Sequence, residues 1–193
     1  MREIIAKILI VIILSAGGCD LLSTRDSESP ITARADFIPA STPDILFNNL
    51  VSSFKEKVVE NYLACFVDES FLNKKYQYKP GAGAASKFPS LLNWDVESER
   101  QYFNNMKAAV QTGVPITLQL FNENNTLQID SAVYQFDYSI TLSTGDASLQ
   151  GVFQGSVQFI INIDSRNQWV ITGWEDIEKN EQTSWSELKG RYY

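Results

Sequence analysis

The chain has 193 residues, 44% of them hydrophobic, with two cysteines, no histidine and a formal net charge of −7. The missing histidine excludes Ser-His-Asp and Cys-His catalysis, a histidine general base and histidine-ligated metals, and two cysteines build neither a disulfide framework nor a four-cysteine zinc site. The acidic excess argues against a nucleic-acid partner, and the length suits one domain with a tail.

The chain opens on an address. Arg2 and Lys7, partly offset by Glu3, flank a short start, and the apolar run Ile8-Leu9-Ile10-Val11-Ile12-Ile13-Leu14 follows. Next come Ser15-Ala16-Gly17-Gly18 and then Cys19. A charged start, a short apolar stretch and small residues form a secretory signal over residues 1–18. The run is far shorter than the roughly 20 residues of a spanning helix.

A cysteine directly after two glycines resembles the lipobox of bacterial lipoproteins, in which the thiol is acylated and becomes the mature N-terminus. Lipoboxes usually carry leucine three residues before the cysteine; here that position is Ala16, with Leu14 two residues upstream. The resemblance implies lipid attachment at Cys19, a bilayer as partner, and a domain outside the cytoplasm in the bacterial envelope, with the outer membrane favoured over the inner. Asp20 serves as an inner-membrane retention signal in some bacteria. An ordinary cleaved signal or an uncleaved anchor is the alternative. Removing residues 1–18 takes away two basic residues and one acidic one, leaving 14 basic, 22 acidic and a net charge of −8.

Residues 19–42 are rich in Ser, Thr, Asp and Pro and carry apolar residues without a period, so they read as a flexible tether. An edge strand around Phe37-Ile38 is the alternative. The domain is expected over 43–193. Ser41 or Thr42 caps a helix with Pro43 in its first turn, and Ile45, Leu46, Leu50, Phe54 and Val58 recur at helical spacing. Lys55-Glu56-Lys57 breaks it before a second helix, Val58 to Val67, in which Cys65 is a small buried hydrophobe. Phe71 to Lys79 reads as a short strand ended by Pro80. Gly81 to Ser86 reads as a loop whose Gly-x-Gly carries no phosphate role.

A third helix is predicted from Trp94 or Asp95 to about Gln111, capped by Asp95, with Glu97 and Glu99 against its dipole. Val96, Tyr102 or Phe103, Met106 and Val110 form its inner stripe, and Gly113-Val114-Pro115 stops it. From Ile116 the period changes to two. Ile116 to Phe121 is a strand turned by Asn122-Glu123-Asn124-Asn125. Ala132 to Leu142 places Phe136, Tyr138, Ile140 and Leu142 on one face and Gln135, Asp137, Ser139 and Thr141 on the other. After a turn at Thr144-Gly145-Asp146, Leu149 to Ile163 is a long strand in which Gly151 and Gly155 suggest a bulge or bend. Asp164 to Asn167 leads into a strand at Trp169 to Trp174. Trp185 to Tyr193 is either a packed tail or a frayed end.

Helices first, then a run of long antiparallel strands, is an α+β arrangement. Over about residues 43–178 the chain resembles the nuclear transport factor 2-like superfamily, which includes SnoaL-like proteins and ketosteroid isomerase. The resemblance rests on Val59-Glu60-Asn61-Tyr62-Leu63-Ala64-Cys65-Phe66-Val67-Asp68, on Glu99-Arg100-Gln101-Tyr102-Phe103 and on Gln168-Trp169-Val170-Ile171-Thr172-Gly173-Trp174-Glu175-Asp176. It implies a cystatin-like cone: a curved antiparallel sheet against three N-terminal helices, with an apolar pocket at the wide end.

Tyr62, Trp94, Tyr138 and Trp174 either line that pocket or fill the cone. An isomerase of this superfamily needs a carboxylate base aimed inward, with a tyrosine and a protonated acid as donors. Asp137 sits on a polar face, and Asp130 and Asp176 at strand ends are expected exposed. Arg34, Arg100, Arg166 and Arg191 show no inward placement. Asp130, Asp137, Asp146 and Asp164 lack calcium-loop spacing. No catalytic residue, metal or cofactor is therefore assigned. The expectation is a non-catalytic binding or interaction domain, its partner a small apolar ligand, an envelope protein or a second copy through the polar outer strand faces. The alternative is a SnoaL-like or isomerase-type enzyme acting on a small apolar substrate.

Overall fold

A computed structural model describes residues 37–145, 151–179 and 183–193. The signal, Cys19 and the tether up to Asp36 lie outside the described residues. Residues 37–42, expected in the tether, pack on the domain: the Trp169 N–H donates to the Ala40 carbonyl (2.7 Å), and Asn49 Nδ2 donates to the Ile38 carbonyl (2.6 Å).

Helix α1 spans Pro43–Glu56, its N-terminus capped by Thr42, whose hydroxyl accepts from the Ile45 N–H. Its face of Leu46, Leu50 and Phe54 is fully buried. Helix α2 is shorter than its apolar run suggested, Val59–Leu63. Beyond it the Val67 N–H donates to the Ile171 carbonyl and the Ile171 N–H to the Cys65 carbonyl, an isolated parallel bridge that satisfies backbone groups a longer helix would otherwise pair. Strand β1 is only Gln77–Lys79. Gly81 to Ser86 is not a loop; α3 spans Ala82–Lys87, as three alanines favour. A 3₁₀ turn, Pro89–Asn93, leads to α4, Val96–Ala109, where Asp95 accepts from the Ser98 N–H at 2.8 Å.

Strands β2 (Thr117–Leu127), β3 (Ser131–Thr141), β4 (Val152–Ile163) and β5 (Trp169–Glu178) follow, and helix α5, Trp185–Tyr192, comes last. Asn122 to Asn125 does not turn the chain. It forms a bulge between Phe121 and Asn124, with Asn122 at φ 54°, and the strand then continues beside β3. The sheet order is β1-β5-β4-β3-β2, with β1 parallel to β5 and the other pairings antiparallel. The irregularity of β4 falls between Ile160 and Ile161, not at Gly151 or Gly155; the register runs on through Gly155, which has a packing role instead. A Cβ there would lie 2.5 Å from the Tyr138 hydroxyl, so the missing side chain lets that ring reach inward. The fold is α+β, a curved sheet closed over helices, and the chain's final helix sits inside the curve.

Candidate functional site

The interior is built by helical and strand periodicity acting on polar residues. On α4, Glu99, Tyr102, Phe103 and Met106 recur at helical spacing, and all four are fully buried. Glu99 is therefore part of the inner stripe and not a solvated first-turn acid as its charge suggested. It accepts from the Tyr62 hydroxyl through Oε2 (2.7 Å) and from the Tyr76 hydroxyl through Oε1 (2.7 Å). Its ion-pair partner is Lys189 of α5, which donates to Oε1 with both side chains at zero exposure.

A second carboxylate, Asp176 on β5, was expected at an exposed strand end and is instead 4% exposed. The sheet continues to Glu178, two residues past Asp176, which turns that side chain inward. Its Oδ1 accepts from the Tyr138 hydroxyl (2.8 Å) and its Oδ2 from the Ser186 N–H (2.6 Å). The Tyr138 oxygen in turn accepts from the Trp185 N–H at 2.6 Å. The Glu187 N–H donates to the Ser184 hydroxyl oxygen. The N-terminus of α5 is thus satisfied by the core itself, with a carboxylate at the positive end of its dipole.

Burial controls the electrostatics. It pushes the Asp176 carboxyl up, against the pull of its hydrogen bonds and of Lys189. It brings the Lys189 ammonium down to about 8, with the charge of Glu99 acting in the opposite direction. The Tyr62 and Tyr76 phenols are raised by burial and then by Glu99, so both remain donors. Burial also pushes the Cys65 thiol up, which removes it as a nucleophile.

Three of the four residues singled out from the sequence touch α5, and the fourth reaches it through Glu99. Tyr62 reaches Lys189 through Glu99, Tyr138 binds the α5 backbone, and Trp94 and Trp174 have Lys189 over their rings. They do not enclose an open pocket. Tyr62 and Tyr138 are core, packed against Phe103 and Trp185 respectively at 4.3 and 5.0 Å between ring centroids. Trp94 and Trp174 border a surface cleft of about 460 Å³ with Gln77, Ile160 and Gly173. Two other grooves, of about 810 and 600 Å³, flank α1 and the start of the domain. Neither Glu99 nor Lys189 borders these three.

Asp137 lies on the outer face as its strand parity demands, held by Asn122, Ser156 and Lys179. Arg166 pairs with Asp164, and Arg191 with Glu187. Among the described residues no group of three acidic or cysteine side chains is placed to hold a metal ion. Lys189, Trp185 and Glu99 complete the interior, and no sequence motif marks them as site residues. Ser184 with Glu187, followed by Trp185, Leu188, Lys189 and Tyr192 at helical spacing, was the available signal for α5.

No protein-family model matches the sequence, and no curated protein matches it. Solved structures share the fold. A candidate scytalone dehydratase from Novosphingobium aromaticivorans superposes with a TM-score of 0.52 at 9% identity, over 68% of this chain and 78% of that one. A candidate dehydratase of the nuclear transport factor 2-like family from Streptomyces avermitilis gives 0.50 at 10%, over 76% and 96%. A nuclear transport factor 2-like superfamily protein from Salmonella enterica serovar Typhimurium gives 0.50 at 12%, over 67% and 83%. The domain has the nuclear transport factor 2-like fold.

Proposed function

We propose that the chain is a bacterial envelope lipoprotein, anchored through acylated Cys19, whose nuclear transport factor 2-like domain is a non-catalytic module that meets its ligand or partner with its outer surface. The observation that carries the non-catalytic part is the filled interior: Trp185, Leu188 and Lys189 stand at zero exposure inside the curve of the sheet, where the family resemblance implies a pocket. Every oxygen of Glu99 and Asp176 is taken by a partner within the chain. Support for anchoring is the lipobox-like pattern ending at Cys19. Several acyl chains at about 0.8 kcal/mol per buried CH₂ would hold the chain on a membrane without help from its acidic surface. Mass spectrometry of the mature N-terminal peptide is expected to show an acylated Cys19, and Cys19→Ser to release the chain from the membrane fraction. An unmodified thiol in the membrane-bound protein overturns the anchor.

The second reading, a dehydratase or isomerase on a small apolar substrate, draws on one observation, the buried Asp176–Tyr138 pair at 2.8 Å. Fold neighbours described as candidate dehydratases lean the same way. Scytalone offered to the wild-type protein is expected to remain unchanged. Turnover that Asp176→Asn abolishes would establish the enzyme instead.

A further inference from the structure

The surroundings of the Lys189 ammonium are those of a ligand site with its ligand in place. Nζ lies 3.7 Å from the centroid of the Trp174 ring and 4.0 Å from that of Tyr78, with Trp94 at 5.5 Å and Tyr102 at 5.8 Å. Ring faces carry the negative lobe of the aromatic quadrupole, and their attraction for a cation grows when water is excluded. Trp94 and Trp174 leave their indole N–H groups buried without a partner among the described residues, so it is the ring faces that serve this centre. Glu99 pairs with the ammonium, its oxygens fixed by Tyr62 and Tyr76, and Asp176 adds a second acidic group to the field at Lys189.

We propose that the interior of the cone is an ammonium-recognition site, occupied in cis by Lys189 of α5, and that the free ligand it takes when that side chain is removed is a primary alkylammonium. The proposal rests on the reading that α5 fills the interior. A neutral apolar ligand would leave Glu99 buried without a counter-charge, which is the expensive state for a buried carboxylate. An anion would meet two acids. A quaternary ammonium suits the rings but has no hydrogen to donate to Glu99 Oε1. Arginine's planar fork is a poorer match than lysine's compact charge on a flexible stem.

The experiment is chemical rescue in the full-length chain. Lys189→Ala removes a stem equivalent to n-propylammonium, and thermal unfolding is followed with n-propylammonium, n-propanol and tetramethylammonium chloride. Lys189→Ala is expected to melt lower than the wild type. Saturable recovery of most of the lost melting temperature is expected with n-propylammonium, with no recovery from the other two and no shift in the wild type. Equal recovery with n-propanol shows a plain apolar hole and overturns the proposal, as does no recovery with any of them.

A carbon–proton NMR spectrum of the wild type keeps the question open to test should Lys189→Ala not fold. The Lys189 ε-methylene resonance is expected well upfield, shifted by the Trp174 and Tyr78 rings. An ordinary lysine position means that α5 is not docked, and then the filled-interior reading falls together with the proposal. An upfield resonance combined with failed rescue overturns the proposal and leaves the filled-interior reading standing.

Discussion

Asp137 and Asp176 are the same chemical group on opposite faces of one sheet, two strands apart. Asp137, on the outer face of β3, accepts from Lys179 (2.7 Å), Ser156 (2.5 Å) and Asn122 (2.8 Å), and its carboxyl is held well below the usual carboxylate range, chiefly by Lys179. Asp176, on the inner face of β5, also accepts short hydrogen bonds, yet burial drives its carboxyl the other way. Asp137 has a charged donor in Lys179 and keeps contact with water, whereas Asp176 has only neutral donors and is shut off from water, so loss of hydration outweighs its hydrogen bonds. Strand alternation does the sorting: Tyr138, the residue after Asp137, points inward and binds Asp176.

The sharpest way to break the interior is at its buried ion pair. Glu99→Gln leaves the Lys189 ammonium without its counter-charge and is expected to lower stability by about 3–5 kcal/mol in urea unfolding. Lys189→Met alone should be similarly damaging, and the double variant should lose less than the sum of the two, because neither charge is then stranded. Additive losses would show that the two side chains act separately.

A purely steric break comes next. Alanine is normally preferred over glycine in a helix by about 1 kcal/mol, but a Cβ at Gly190 would lie 2.3 Å from the Phe88 ring. Gly190→Ala is therefore expected to destabilise the protein, by about 1–3 kcal/mol as overpacked sites do. A raised melting temperature would mean that α5 docks more loosely than these contacts show.

The smallest effects lie in the pH profile, and they should have opposite signs. Asp176 has a folded-state pKa above that of the unfolded chain, so its contribution is complete in acid and is lost as pH rises through the folded value. Asp137 has a depressed one, so its contribution is complete above the unfolded carboxylate range and is lost as pH falls. Asp176→Asn is expected to remove a decline in melting temperature on the way up from acid. Asp137→Asn should reduce stability at neutral pH by under about 1 kcal/mol, its charge pair being partly exposed, and make no difference in strong acid. Parallel profiles for the two variants would contradict the contrast between the faces.

The same two faces mark how far the sequence could be read. On β3 an apolar residue alternates with a polar one, and hydrophobicity alone assigns the inside correctly; α4 was equally clear from its Asp95 cap and its apolar stripe. Glu99, Asp176 and Lys189 break that rule: charge ordinarily marks solvent, and only long-range partners such as Tyr62, Tyr138 and one another make their burial tolerable. The polar run Asn122 to Asn125 looked like a turn because its side chains are those of turns. Pairing of Asn124 with Gln135 and Asn125 with Tyr134 carries it through as strand. The parallel docking of β1 on β5 joins segments too far apart in the chain for any local pattern to reveal.

That docking also sets the order in which the molecule can come into being. Tyr78 bonds to Ser186, 108 residues later, and among the described residues β1 finds its only strand partner in β5. A nascent chain ending before Trp185 would hold two core acids with no lysine to meet them and a hollow where an indole belongs. Closure must await the last helix, and long-range contacts of this kind form slowly. Until then the inner face of the sheet lacks its cover, and such exposed apolar surface is open to aggregation.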